Sequence, residues 1–104
     1  MKLNVLFAVV MFSVVTVDIV SAWRETFHGL VLWEEQCDFV AGNVRDLDVV
    51  PSSAGSCGRK CFNHPRCTHF TWNGMCIMKR APASEKFQHL SGARCGYIPN
   101  KLNK

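Results

Sequence analysis

The chain is 104 residues long, 48% hydrophobic and 19% charged, with a formal net charge of +4 and six cysteines. That length bounds it to one domain with little room for an enclosed substrate pocket, and so modest a basic excess is not the dense stripe of a nucleic-acid binder. An even cysteine count in so small a chain points to a disulfide framework, because packing alone stabilises such domains poorly.

Residues 1–22 read as a signal peptide. Lys2 supplies a positive start, the run from Leu3 to Val17 is almost wholly apolar, and Val20-Ser21-Ala22 is a small-residue cleavage pattern. The run is about 15 residues, short of the roughly 20 that span a bilayer as a helix. Cleavage after Ala22 removes Lys2 and Asp18 together, so the net charge of the mature chain stays at +4. All six cysteines (Cys37, Cys57, Cys61, Cys67, Cys76 and Cys95) then lie in a secreted, oxidised, extracellular domain without a membrane span. No Asn-x-Ser/Thr sequon occurs, so N-glycosylation is not expected.

Residues 23–32 form an N-terminal lead-in whose Trp23, Phe27 and Leu30 fit either one side of a helical turn or packing on the domain. From Leu30 to Phe39 the odd-numbered Val31, Trp33, Cys37 and Phe39 predict one face of a strand. Gly42-Asn43 marks a turn, and a second extended piece, Asp46 to Val50, stops at Pro51. The segment Ser52 to Asn63 predicts a helix, with a serine to cap its start and Pro65 beyond its end. Cys57 and Cys61, four apart, share one face of that helix, so it can be stapled twice, while Gly55 and Gly58 each weaken it by about 1 kcal/mol relative to Ala.

Cys67-Thr68-His69-Phe70-Thr71-Trp72, Asn73-Gly74 and Met75-Cys76-Ile77-Met78-Lys79 predict a β-hairpin closed by a two-residue type I′ turn. In that register Trp72 faces Met75 and Phe70 faces Ile77. Cys67, His69, Thr71, Cys76 and Met78 then share the face turned toward the helix, and Phe70, Trp72, Met75, Ile77 and Lys79 the face turned away. A loop from Arg80 to Gly92 follows, with room for a helical turn at Ser84 to Leu90. The chain closes with an extended Ala93 to Ile98 and a polar tail, 99–104.

Trp33-x3-Cys37-Asp38-Phe39, Gly42-Asn43, Cys57-x3-Cys61-x5-Cys67-Thr68-His69-Phe70-Thr71-Trp72, Cys76-x-Met78-Lys79, Ser91-Gly92 and Cys95 together resemble the PAN/Apple domain, over residues 33–98. The resemblance implies an α+β fold: a small disulfide-rich domain with an antiparallel sheet wrapped around one helix. It also implies the pairing Cys37 to Cys95, Cys57 to Cys76 and Cys61 to Cys67, which spacing alone leaves open. The sequence departs from the family pattern in a short Asn73-Gly74-Met75 connection and a stretched segment from Asn43 to Leu47.

Catalysis has no footing in the residues. No Gly-x-Ser-x-Gly elbow, His-Glu-x-x-His helix or Cys-x-x-Cys pair occurs, and Glu34, Glu35 and Asp38 read as a solvated acidic edge. Cys61-x2-His64-x2-Cys67-x-His69 has spacing that zinc could use, but oxidation would remove its thiolates, so neither a metal nor any other cofactor is expected. Recognition remains, and the resemblance implies a non-enzymatic module for an extracellular glycan or protein. Two surfaces are candidates: Trp72 on the face away from the helix, and a basic patch of Arg59, Lys60, Arg66, Lys79 and Arg80. A secreted effector, toxin-like or antimicrobial, and a structural matrix or coat component are the alternatives on the same scaffold.

Overall fold

A computed structural model describes residues 23–102; the signal-peptide reading of residues 1–22 and the last two residues of the tail lie outside the described residues. The elements are β1 (Arg24–Thr26), β2 (Val31–Asp38), β3 (Arg45–Pro51), α1 (Ala54–Asn63), β4 (His69–Trp72), β5 (Met75–Arg80) and β6 (Gln88–Tyr97), followed by a 3₁₀ turn (Pro99–Lys101). One antiparallel sheet contains all six strands in the order β1-β2-β6-β4-β5-β3, and α1 packs on one of its faces. This is the disulfide-rich α+β architecture that the sequence implies.

The lead-in is not a helical turn; it packs on the domain as a strand, β1 pairing with β2, Arg24 opposite Trp33 and Thr26 opposite Val31. A tight turn through Phe27 and His28, both in the left-handed region, joins the two strands. The turn sets the Phe27 ring edge-on against Phe62 of α1 at 5.1 Å.

Helix α1 begins after Ser53, which stands extended at the N-cap without a side-chain capping bond. Its buried stripe is Cys57, Gly58 and Cys61. Gly58 is there for proximity: a Cβ would lie 2.6 Å from Val31 Cγ1, so only hydrogen lets the helix settle this close to β2. Gly96 on β6 answers it from the sheet, where a Cβ would run into both the Leu32 carbonyl and the Phe70 ring. Disulfides join Cys57 to Cys76 and Cys61 to Cys67 under the helix, and Cys37 to Cys95 on the other face of the sheet.

Two local irregularities decide which residues share a face. Gln36 adopts a left-handed φ of 57°, and the β2–β6 register shifts between Glu35 and Cys37. The expected single face of odd residues is therefore split: Val31 and Trp33 belong to the helix-side core, Cys37 and Phe39 to the opposite side. The hairpin differs from expectation for a related reason. Trp72 pairs with Cys76 and Phe70 with Met78, so Asn73-Gly74-Met75 is a three-residue connection and the register moves by one. Since side chains alternate, that step exchanges the faces of β4 alone, while Cys76, Met78, Ile77 and Lys79 of β5 keep the faces expected of them. Phe70, Trp72, Cys76 and Met78 join the helix-side core, whereas His69, Thr71, Ile77 and Lys79 point the other way.

The C-terminal third also corrects the sequence reading. No helical turn forms at Ser84 to Leu90; after a turn at Ala83-Ser84 the chain enters β6 at Gln88, well before Ala93. The tail is anchored: Lys101 Nζ donates to the carbonyls of Cys61, His64 and Cys67 at 3.0, 2.8 and 3.1 Å, closing the end of α1.

Candidate functional site

On the face opposite α1, β4 lies between β5 and β6, with His69 opposite both Lys79 and Tyr97. The chain leaving β2 crosses this face and lays Phe39 over it, edge-on to the His69 ring at 4.7 Å. What holds Phe39 there is a buried polar knot. Asp38 Oδ1 accepts from its neighbour's amide, Phe39 N, at 2.7 Å and from the Thr71 hydroxyl. Lys79 Nζ donates to the Phe39 carbonyl at 2.9 Å and lies 3.5 Å from Asp38 and 3.3 Å from Asp46. Asp38 is thus part of the interior rather than of a solvated acidic edge.

Around Phe39 and His69 opens a cleft of about 440 Å³, walled by Trp23, Phe87 and Tyr97, with Ala83, Glu85, Lys86 and Leu102 at its margins. Trp23 meets Tyr97 at 5.1 Å and Phe87 at 5.4 Å, both edge-on, so the residue before β1, the residue before β6 and the last residue of β6 share one aromatic wall. Phe87 is 46% exposed, a large apolar surface left to water in the free molecule. His69 gives the floor its polarity. Its Nδ1 lies 2.8 Å from Thr68 Oγ1, which also accepts from the Ala81 amide at 2.9 Å, and among the described residues Nε2 has no hydrogen-bond partner. Burial lowers the His69 pKa to about 4, so the ring is neutral at physiological pH.

The structure takes Trp72 and Lys79 out of the surfaces that the sequence singles out for binding and keeps Arg66 and Arg80 in contact. Trp72 is on the helix side, half-buried, its Nε1 donating to the Ser52 carbonyl at 2.8 Å, and so is not on an open face away from α1. Lys79 is 5% exposed and committed to the knot beside Phe39, so it is no part of a surface patch. Arg59, Lys60, Arg66 and Arg80 are exposed. Arg59 lies over the Phe27 ring at 5.6 Å, and Arg80 Nη1 donates to the Arg66 carbonyl at 3.0 Å. His64 pairs with Asp48 at 2.8 Å, while Cys61 and Cys67 are bonded to each other, so the zinc-like spacing has no thiolate to offer. The cleft residues Trp23, Phe87 and Tyr97 carry no local motif.

These features agree with what the chain is similar to. The PAN domain family model matches residues 35–101, from the second half of β2 through the 3₁₀ turn. No curated protein and no solved structure matches the chain. With well over half of its length matched, and with the helix, sheet and disulfides in place, the chain belongs to the PAN domain family.

Proposed function

We propose that this protein is a secreted, non-catalytic recognition module and that it binds carbohydrate in the cleft between Trp23, Phe39, Phe87 and Tyr97. PAN domains are generally protein- or carbohydrate-binding modules, which sets the class. The observation that carries the carbohydrate reading is the cleft itself. Its open aromatic walls suit the C–H faces of a sugar ring, and His69 Nε2, Glu85 and Lys86 supply hydrogen-bonding groups for hydroxyls. Three disulfides fit an oxidising, extracellular setting, and among the described residues no helix is long and apolar enough to cross a membrane.

The test is a glycan array probed with the oxidised protein, followed by calorimetric titration of any hit against the wild type and Trp23→Ala. Binding weakened by about tenfold or more in the variant supports the cleft. A blank array, or a hit that Trp23→Ala leaves untouched, would overturn it.

A further inference from the structure

The cleft does not end at its rim. Ala83 and Leu102, at one margin, also wall a second depression of about 250 Å³ whose other sides include Arg45, Thr68, Arg80 and Lys101. An extended ligand seated in the first would reach the second without leaving the surface.

The second depression is electrostatically incomplete. Arg45 and Arg80 stand directly opposite each other in the β3–β5 ladder, an arrangement of like charges that costs stability when nothing lies between them. The acids that could compensate are engaged elsewhere: Asp46 with Lys79 at 3.3 Å, Asp48 with His64 at 2.8 Å. Among the described residues neither Arg45 nor Arg80 makes an ion pair. The bond from Arg80 Nη1 to the Arg66 carbonyl restrains that guanidinium, which lowers the ordering cost of using it. Lys101 adds a third cation whose three hydrogens are spent on carbonyls, so it contributes field rather than a contact. Burial, and after it the charge of Arg80, hold the Lys101 ammonium below its usual pKa, which marks the two as electrostatic neighbours.

We infer that this depression is an oxyanion subsite of the same cleft, and that the ligand is therefore an acidic glycan. A sugar ring lies against the Trp23–Tyr97 wall while a sulfate or carboxylate sits between Arg45 and Arg80. The inference rests on the carbohydrate reading of the cleft and adds the charge of the ligand to it. Planar guanidiniums suit such a group, because each presents a fork of donors to two oxygens.

The experiment titrates the protein with a sulfated heparin-type tetrasaccharide and with its fully desulfated, carboxyl-reduced counterpart, which carries no anionic group, using inorganic sulfate as competitor. The sulfated form is expected to bind about tenfold or more tightly than the desulfated one at low ionic strength, with the gap closing as salt rises. Arg45→Gln and Arg80→Gln, each at an exposed position, are expected to close the gap without altering the affinity for the desulfated form. Trp23→Ala should weaken both. Equal affinities in the wild type, or a gap that survives both glutamine variants, overturns the subsite and leaves the cleft standing. Inorganic sulfate displacing the tetrasaccharide at matched concentration overturns the bridging arrangement. No binding by either oligosaccharide counts against the cleft itself.

Discussion

Lys79 Nζ, on β5, lies 3.5 Å from Asp38 Oδ1, at the end of β2, and both side chains are largely withdrawn from water, at 6% and 14% exposure. The pair spans a sheet in which β6 and β4 separate the two strands, so it is a tie across the face rather than a ladder contact. Its consequence is the position of Phe39, whose carbonyl accepts from the same ammonium and whose ring floors the cleft.

Lys79→Met should therefore cost stability and binding together. Removing one partner leaves the Asp38 carboxylate buried with only the Thr71 hydroxyl and the Phe39 amide, and breaking such pairs typically costs about 3–5 kcal/mol. Urea denaturation is expected to register a loss at the lower end of that range, because Asp46, which also faces Lys79, is itself exposed. The paired change of Asp38→Asn with Lys79→Met should recover part of it, which a double-mutant cycle measures.

The glycines at the helix–sheet contact and the one away from it predict opposite signs for one chemical change. Gly96→Ala would drive a methyl into the Leu32 carbonyl and Phe70, and Gly58→Ala one into Val31, so each should destabilise by about 1–3 kcal/mol or more through overpacking. Gly55, also in α1, has open space where a methyl would stand, with nothing within 4 Å, so Gly55→Ala should stabilise by up to about 1 kcal/mol through helix propensity. Chemical denaturation of the three variants side by side checks all three signs.

That contrast marks how far the sequence could be read. The helix was legible because Ser53 and Pro65 bracket it and because Cys57 and Cys61 share a face; that Gly58 is a contact residue was not, since only the partner strand reveals it. The hairpin was legible in place but not in register. Asn73-Gly74 is the usual signal for a two-residue turn, yet Met75 joins the connection, and one residue of slip carried Trp72 from the outer face to the core. A bulge at Gln36 did the same to Cys37 and Phe39. The cleft was illegible because it is assembled from Trp23, Phe39, His69, Phe87 and Tyr97, residues brought together only by the long-range pairing of β2, β4 and β6.

His69 gives the fold a dependence on acid. Burial lowers its pKa from the 6.5 of an unperturbed imidazole to about 4. Above pH 6.5 the ring is neutral whether the chain is folded or not, and its contribution is at its maximum. Between about 6.5 and about 4 the unfolded chain takes up a proton that the folded one refuses, so stability falls as pH falls; below about 4 this group adds no further loss. The total is on the order of 2 kcal/mol after allowance for water in the cleft. His69→Gln should flatten that part of the stability–pH curve relative to wild type, and an unchanged slope in thermal melts at pH 7, 5.5 and 4.5 would remove His69 as its source.

Lys101 closes the opposite end of the helix, and the prediction there separates a cap from an ordinary surface charge. The last carbonyls of a helix lack intrahelical partners, and here Cys61 and His64, with Cys67 just beyond, direct three of them at one ammonium. Each also takes part in the turn that follows α1 or in its disulfide: His64 N donates to the Cys61 carbonyl and Cys67 N to that of His64. Lys101→Met keeps the aliphatic stem and removes the donors, so it should cost about 1–2 kcal/mol. The loss should be local, read as faster hydrogen exchange at the His64 and Cys67 amides with little change on β4. A surface lysine would show neither effect, and high salt would not reproduce them, because the three hydrogen bonds, unlike a screened charge, depend on the ammonium being in place.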